Sequence, residues 1–223
     1  MIEADAYFFD IDGTLLVTRD LVHWNALHQA MLEVYGVDTT IEGLAYHGKT
    51  DVAILRMALN RCGVGDGAFD EKLPAALAAV CREVSAHAAE ILPRVCVGIP
   101  EVLLHLREQK KLLGVASGNL ESVGWSKVSA AGLREFFSLG SFGDRCEFRA
   151  AIFDNAIAAA RKLIGTSARA CFIGDTPDDV DAARRVNAQI IAVSTGTFGF
   201  DELARLNPDA CCTSCADILE KLR

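Results

Sequence analysis

The 223-residue sequence contains no uninterrupted apolar run near the roughly 18 residues that a membrane-spanning helix needs, so the reading is a chain with no place in a membrane. Excess basic charge is also missing: 22 lysines and arginines stand against 30 aspartates and glutamates, a net charge of -8. Nucleic-acid backbones are bound by clustered cations, so this balance argues against a nucleic-acid partner while leaving room for a local basic pocket around a small anion. There is no internal repeat and no low-complexity tract. The opening residues, MIEADAYFFDIDGT, carry acids where a secretory signal would need a basic segment followed by an apolar one, and the expectation is a cytoplasmic protein. Histidine is scarce as well, and none of the five lies near the one local cluster of cysteines, Cys211, Cys212 and Cys215. That cluster also lacks a second CxxC pair, so it reads as small buried hydrophobes rather than a metal site. The other cysteines, Cys62, Cys81, Cys96, Cys146 and Cys171, are scattered through a chain too long to need a disulfide framework.

What is present is apolar material, 51% of the residues, enough for a sizeable core. It falls into short continuous runs separated by longer helical periods. Ala6 to Phe9, Leu112 to Ala116, Ser138 to Phe142, Ala170 to Ile173, Ile190 to Val193 and Ala210 to Cys212 are strand candidates. They are apolar throughout rather than alternating, as expected of strands buried on both faces of a parallel sheet. Between them lie helical patterns, with Pro100 and Pro177 at first-turn positions and Gly132 as a terminator.

Residues 17 to 91 break this rhythm. Leu27, Ala30, Met31 and Val34 form one helical stripe closed by Gly36. Thr50 can cap a helix carrying Ile54, Met57 and Ala58, and Pro74 can start a third. Gly63, Gly65 and Gly67 suggest a flexible link between the last two, and no strand is evident. The predicted fold is therefore α/β: a Rossmann-like doubly wound parallel sheet core made of residues 1–16 and 92–223, with an all-helical insertion at 17–91 whose crossings near Leu16 and Leu92 can act as hinges.

Ligands of open parallel sheets bind outside the carboxyl ends of the strands. Those positions hold Asp10 and Asp12 followed by Gly13-Thr14, then Ser117-Gly118-Asn119, then Asp175, Asp178 and Asp179. So many oxygen donors on one rim suit a hard cation such as Mg²⁺. Asp178 reads as a helix N-terminal acid favoured by the dipole, leaving Asp179 as the better ligand by spacing.

These residues carry a resemblance. Asp10-Ile11-Asp12-Gly13-Thr14 is the DxDGT signature of the haloacid dehalogenase superfamily; Ser117 after an apolar strand resembles its second motif, and Gly174-Asp175-Thr176-Pro177-Asp178-Asp179 its fourth. His47-Gly48-Lys49-Thr50-Asp51, Ser117-Gly118-Asn119-Leu120-Glu121 and Ser194-Thr195-Gly196 resemble the phosphoglycolate phosphatase-like branch with a helical cap domain.

The resemblance implies a Mg²⁺-dependent phosphatase of a small phosphorylated metabolite. Asp10 would be the nucleophile that forms an aspartyl phosphate. Asp12, which the family's dehalogenases lack, would be the general acid and base. Asp10, the Asp12 carbonyl, Asp175 and Asp179 would hold Mg²⁺. Ser117, Gly118 and Asn119 would bind the phosphoryl group, and Lys49 would face the substrate from the cap.

The family's third motif, a basic residue usually written Lys-Pro, is absent in that form. Arg149 is the nearest positional match and can pair bidentately with phosphate, with Arg145 and Lys127 as rivals. His23, His47, Trp24 and Trp125 read as surface or packing residues. Two other readings stand beside the phosphatase: a phosphomutase of the β-phosphoglucomutase type, and a non-catalytic metabolite- or partner-binding protein. The chain can be a monomer or a homodimer.

Overall fold

The computed structural model describes residues 1–222. Six parallel strands form the main sheet: β1 (Ala6–Phe9), β4 (Leu112–Ala116), β5 (Leu139–Ser141), β6 (Ala170–Gly174), β7 (Gln189–Val193) and β8 (Ala210–Cys212), in the order β5-β4-β1-β6-β7-β8. β1 lies in the middle, paired on one side through Tyr7↔Leu113 and on the other through Tyr7↔Cys171. Its four residues are all buried because both faces are covered. Tyr7 and Phe9 point into one apolar layer with Leu113, Val115 and Ile173. Phe8 points into the opposite one with Phe153 and Phe172. A strand with two buried faces has no position for a polar residue, which accounts for the unbroken apolar run.

Helices complete the two layers. α4 (Ile99–Glu108) contributes Ile99, Val102, Leu103 and Leu106 to the first. α6 (Arg149–Ile164) and α7 (Pro177–Arg185) contribute Ile152, Phe153, Val180 and Ala183 to the second. Pro177 stands in the first turn of α7, where a missing N–H removes no intrahelical bond.

The helical insert lies between β1 and β4. It contains α1 (Val22–Ala30), which passes into a π turn (Met31–Tyr35) closed by left-handed Gly36, then α2 (Asp51–Arg61) and α3 (Asp66–Ala86). These elements share a third apolar cluster, which also takes in Leu120 and Val123 at the start of α5 (Glu121–Ala130). The insert is therefore packed on the core and does not stand free of it.

Three expectations need correction. Pro74 does not start a helix; it lies inside α3, which begins eight residues earlier at Asp66. The turns before it are anchored by tertiary contacts that outweigh one lost hydrogen bond: Phe69 is fully buried, stacks on Tyr35 at 6.0 Å and lies under the Arg56 guanidinium at 4.2 Å. Gly63, Gly65 and Gly67 consequently do not form a long flexible link; Gly65 caps α3 and Gly67 is inside it. Finally, a strand does enter the 17–91 stretch: β2 (Leu16–Thr18) pairs antiparallel with β3 (Pro93–Val95), so the two crossings between sheet and insert are bonded side by side. Three residues are too few to show a period of two.

The aromatic column through the second layer gives a stability prediction. Phe172 stacks on Phe153 at 3.7 Å and on Phe8 at 5.3 Å, with 1% exposure. Phe172→Ala should lower unfolding free energy by about 3–5 kcal/mol, read from urea titration. A loss below about 1 kcal/mol would contradict this packing.

Candidate active site

Two strand ends deliver the carboxylates. Asp10 follows β1, its N–H donating to Ile173 O at 2.9 Å, so sheet pairing continues through it. Asp175 follows β6, and Asp179 lies one helical turn on, in the first turn of α7. One oxygen from each of Asp10, Asp175 and Asp179 falls within 4.8 Å of the others, and all three residues are buried.

Local structure fixes each carboxylate. Thr176 caps α7 through a reciprocal capping box. Its hydroxyl and N–H donate to Asp179 Oδ2 at 2.6 and 3.0 Å, and the Asp179 N–H donates to the Thr176 hydroxyl. This engages Oδ2 and turns Oδ1 toward the site. Asp175 Oδ1 accepts from the Thr14 hydroxyl at 3.0 Å. Room for Asp175 exists because Gly13, at φ +87°, and Gly196 lack side chains; a Cβ at either would run into its carboxylate.

Arg149, the first residue of α6, closes this cluster. Its Nη2 lies 2.8 Å from Asp10 Oδ2, and its Nε lies 2.6 Å from Asp179 Oδ1. Nη1 donates to Gly48 O of the insert at 3.1 Å. Burial alone would discharge the guanidinium, but Asp10 and Asp179 reverse that and hold it more firmly charged than usual. The carboxylates shift the other way. Burial, then repulsion from Asp10 and Asp179, raises Asp175 well above the ordinary range. Asp179 is pushed up to about 6, mainly by burial, with Arg149 opposing.

These observations bear on a metal. When the three carboxylates are ionised, one guanidinium leaves them two negative charges in excess. Asp10 Oδ1 is buried without a hydrogen-bond partner among the described residues. The donor set is entirely oxygen, which suits Mg²⁺ rather than a soft metal. The residues fit a divalent cation.

The end of β4 and helix α5 complete the site. Ser117 follows β4, and its hydroxyl accepts from Asn119 Nδ2 at 2.9 Å. Asp12 faces a different cation from Asp10. Lys127 of α5 donates to both oxygens of Asp12 at 2.9 and 2.7 Å, and Asn119 Nδ2 donates to Asp12 Oδ2 at 2.8 Å. Burial acts to raise the Asp12 carboxyl, but the Lys127 ammonium and these hydrogen bonds prevail and lower it. Arg149 and Lys127, considered together as rivals on sequence, thus serve different aspartates, Arg149 pairing with Asp10 and Asp179 and Lys127 with Asp12; Arg145 lies in the short turn Gly143–Arg145, and no contact of its side chain with Asp10 or Asp12 is present among the described residues.

The pocket over this rim has a volume of about 480 Å³ and takes in Asp10, Asp12, Ser117, Gly118, Asn119, Arg149 and Asp175 from the core. From the insert it takes in Trp24, Ile41, Tyr46, His47 and Lys49. Thr50 is an N-cap, its hydroxyl accepting from Ala53 N at 3.1 Å. Lys49 lines the pocket, with its ammonium 2.6 Å from Asp178, the helix N-terminal acid. Trp125 packs on Phe142 at 5.1 Å, as expected. Trp24 and His23 are not merely surface or packing residues. Both line the pocket, and His23 bonds Asp51 at 3.1 Å. The signal for Lys127 was available in the sequence: it lies four residues after Val123 and beside Val128, on the buried stripe of α5, where a lysine is out of place.

Residues 7–193 match the haloacid dehalogenase-like hydrolase family, and the chain belongs to that family. It is 26% identical to the phosphoglycolate phosphatase of Synechococcus elongatus over 217 residues, covering 96% of this chain and 95% of that one. Its fold is similar to that of CbbY from Rhodobacter sphaeroides in complex with phosphate, with a TM-score of 0.70, 19% identity, and coverage of 97% and 96% of the two chains. A mutant CbbY in complex with xylulose-(1,5)-bisphosphate gives a TM-score of 0.69 at 19% identity, covering 96% of each chain.

The raised carboxylates fix a sign. A folded-state value near 6 against an unfolded value near 4 means that the metal-free folded protein binds more protons. Stability from Asp179 is then present below about pH 4 and is lost as pH rises through 6. In EDTA at pH 7, Asp175→Asn should raise the melting midpoint, by roughly 2–4 °C per kcal/mol of repulsion relieved, and should remove the stabilisation that Mg²⁺ gives wild type. A lower midpoint in EDTA would show that the cluster is not strained by its own charge.

Proposed function

We propose that the chain is a Mg²⁺-dependent phosphatase that hydrolyses a small phosphorylated metabolite through an aspartyl phosphate, in the manner of phosphoglycolate phosphatase. The observation that carries this reading is the position of Asp10: a buried carboxylate on the central strand, beside two further carboxylates and the Arg149 guanidinium, at the floor of a 480 Å³ pocket. The full-length similarity to a phosphoglycolate phosphatase supports it. So do the phosphate and the sugar bisphosphate bound by proteins of similar fold.

In this reading Asp10, the Asp12 carbonyl, Asp175 and Asp179 hold Mg²⁺, which when bound offsets repulsion between the carboxylates and the phosphate. Ser117 and the N–H groups of Gly118 and Asn119 bind phosphoryl oxygens. Arg149 pairs with Asp10 and with the transferring group, the role of the missing Lys-Pro motif. A carboxylate oxygen of Asp10 attacks phosphorus, the bond to the leaving oxygen breaks, and that oxygen takes the proton of Asp12 in its protonated form, the form that Lys127 disfavours in the free site. Asp12 then takes a proton from water as the water attacks phosphorus, the bond from phosphorus to the Asp10 oxygen breaks, and inorganic phosphate leaves with Asp10 restored as a carboxylate. Residues 17–91 act as a cap over the pocket, limiting water and reading the leaving group. Lys49 takes part through the donors that Asp178 leaves free.

The test is phosphate release from a panel of phosphorylated metabolites, with Mg²⁺ or EDTA. Release should require Mg²⁺, and Asp10→Asn should reduce it by roughly three orders of magnitude or more. Arg149→Met should lower kcat/KM by about a hundred- to a thousandfold. Sugar-phosphate isomerisation outpacing phosphate release would favour a phosphomutase, and silence across the panel would favour a binding protein.

A further inference from the structure

Lys127 is 4% exposed, yet it belongs to none of the motifs. A buried ammonium is tolerated only when its charge and all three N–H donors are matched. Here they are. One side of the ammonium faces the Asp12 carboxylate, at 2.7 Å from Oδ2. The others face Asn119 Oδ1 at 3.0 Å and His23 Nδ1 at 3.2 Å.

The partners settle the remaining proton positions. Asp51 Oδ2, 3.1 Å from His23 Nε2, can only accept, so Nε2 carries the hydrogen. The Lys127 ammonium can only donate, so Nδ1 presents its lone pair, and the imidazole is the neutral Nε2–H tautomer. Asn119 is oriented the same way: its oxygen meets Lys127, and its amide donates to Asp12 Oδ2 and Ser117 Oγ. Asp51 is itself held, accepting from Leu120 N at 2.8 Å while its own N–H donates to Gly118 O. The network joins α1 and α2 of the insert to α5 and the Ser117–Leu120 loop of the core.

The Asp12 side chain, 42% exposed, has open space to turn into. Lys127 and Asn119 are its side-chain partners among the described residues, and Arg149 serves Asp10 and Asp179 instead. We infer that Lys127 is a positioning residue for Asp12, holding its carboxylate toward the leaving oxygen, and that His23, seated by Asp51, fixes Lys127 from the insert side. The inference rests on Asp12 being the acid–base group of the proposed phosphatase.

A proton donor matters most when the leaving group is a poor one, and this gives a readout that a purely structural role would not move. Steady-state kinetics with Mg²⁺ would compare p-nitrophenyl phosphate, whose leaving group needs no proton, with an alkyl phosphate, for wild type, Lys127→Met, Asp12→Asn and the double variant. Lys127→Met should lower kcat on the alkyl ester at least about tenfold more than on the aryl ester, with KM within about twofold. The double variant should be no slower than Asp12→Asn alone. His23→Leu should show the same pattern at smaller amplitude, and His23→Asn, whose oxygen can accept from Lys127, should recover part of it. Equal losses on both esters, or a rise in KM alone, would overturn the inference and make Lys127 a direct phosphoryl ligand. Unchanged kinetics would make it a structural ion pair. If wild type releases phosphate from neither ester, the phosphatase reading fails on its own. A crystal structure of Lys127→Met still decides the positioning claim: a displaced Asp12 carboxylate supports it, and an unmoved one overturns it.

Discussion

Mutual repulsion among Asp10, Asp175 and Asp179, buried within reach of one another, is the constraint around which the site is built. Three ionised carboxylates in a poorly solvated pocket oppose folding, and the neighbouring structure offsets this piece by piece. Arg149 gives partial neutralisation, the Thr176 capping box takes one oxygen of Asp179, and Thr14 takes one of Asp175. What remains is an excess of negative charge that a bound cation, or protons taken up by the raised carboxyls, can remove. Affinity for a divalent ion and strain in its absence are therefore the same quantity seen from two sides.

The two aspartates of the first motif lie two residues apart and meet opposite environments. Asp10 points into the sheet end, enclosed with other carboxylates and an arginine that is fixed in charge. Asp12 points toward the insert, partly open, with a lysine and an amide as donors. A single bend at left-handed Gly13, just after them, turns the chain away and keeps both side chains on the rim. Separate cations for separate carboxylates let each be oriented without reference to the other.

The parts of this arrangement legible in the sequence were those with local causes. The continuous apolar runs ending in Asp10, Ser117 and Asp175 gave the strands and the rim, because a strand buried on both faces has a composition of its own. Thr50 and Pro177 disclosed helix starts through capping chemistry that involves only neighbours. The misreadings had distant causes. Pro74 looked like a helix start because the contacts that extend α3 past it, from Tyr35 and Arg56, come from 34 and 13 residues away in sequence. Lys127 could be named only as a candidate cation. Its pairing with Asp12 and His23 spans separations of 115 and 104 residues, over which no periodicity carries information.

The paired strands β2 and β3 have a topological consequence. Because the chain leaves the core and returns to it along hydrogen-bonded neighbours, Leu16 opposite Val95 and Thr18 opposite Pro93, everything between them is a loop whose ends are already closed. The entropy of closing that loop grows only slowly with its length. Helices could be added, exchanged or removed within it without moving a single register of the six-stranded sheet. Change in the outer part of the insert is thereby separated from the register of the sheet that carries Asp10 and Asp175, while α1, α2 and Gly48 stay tied to the rim through His23, Asp51 and Arg149.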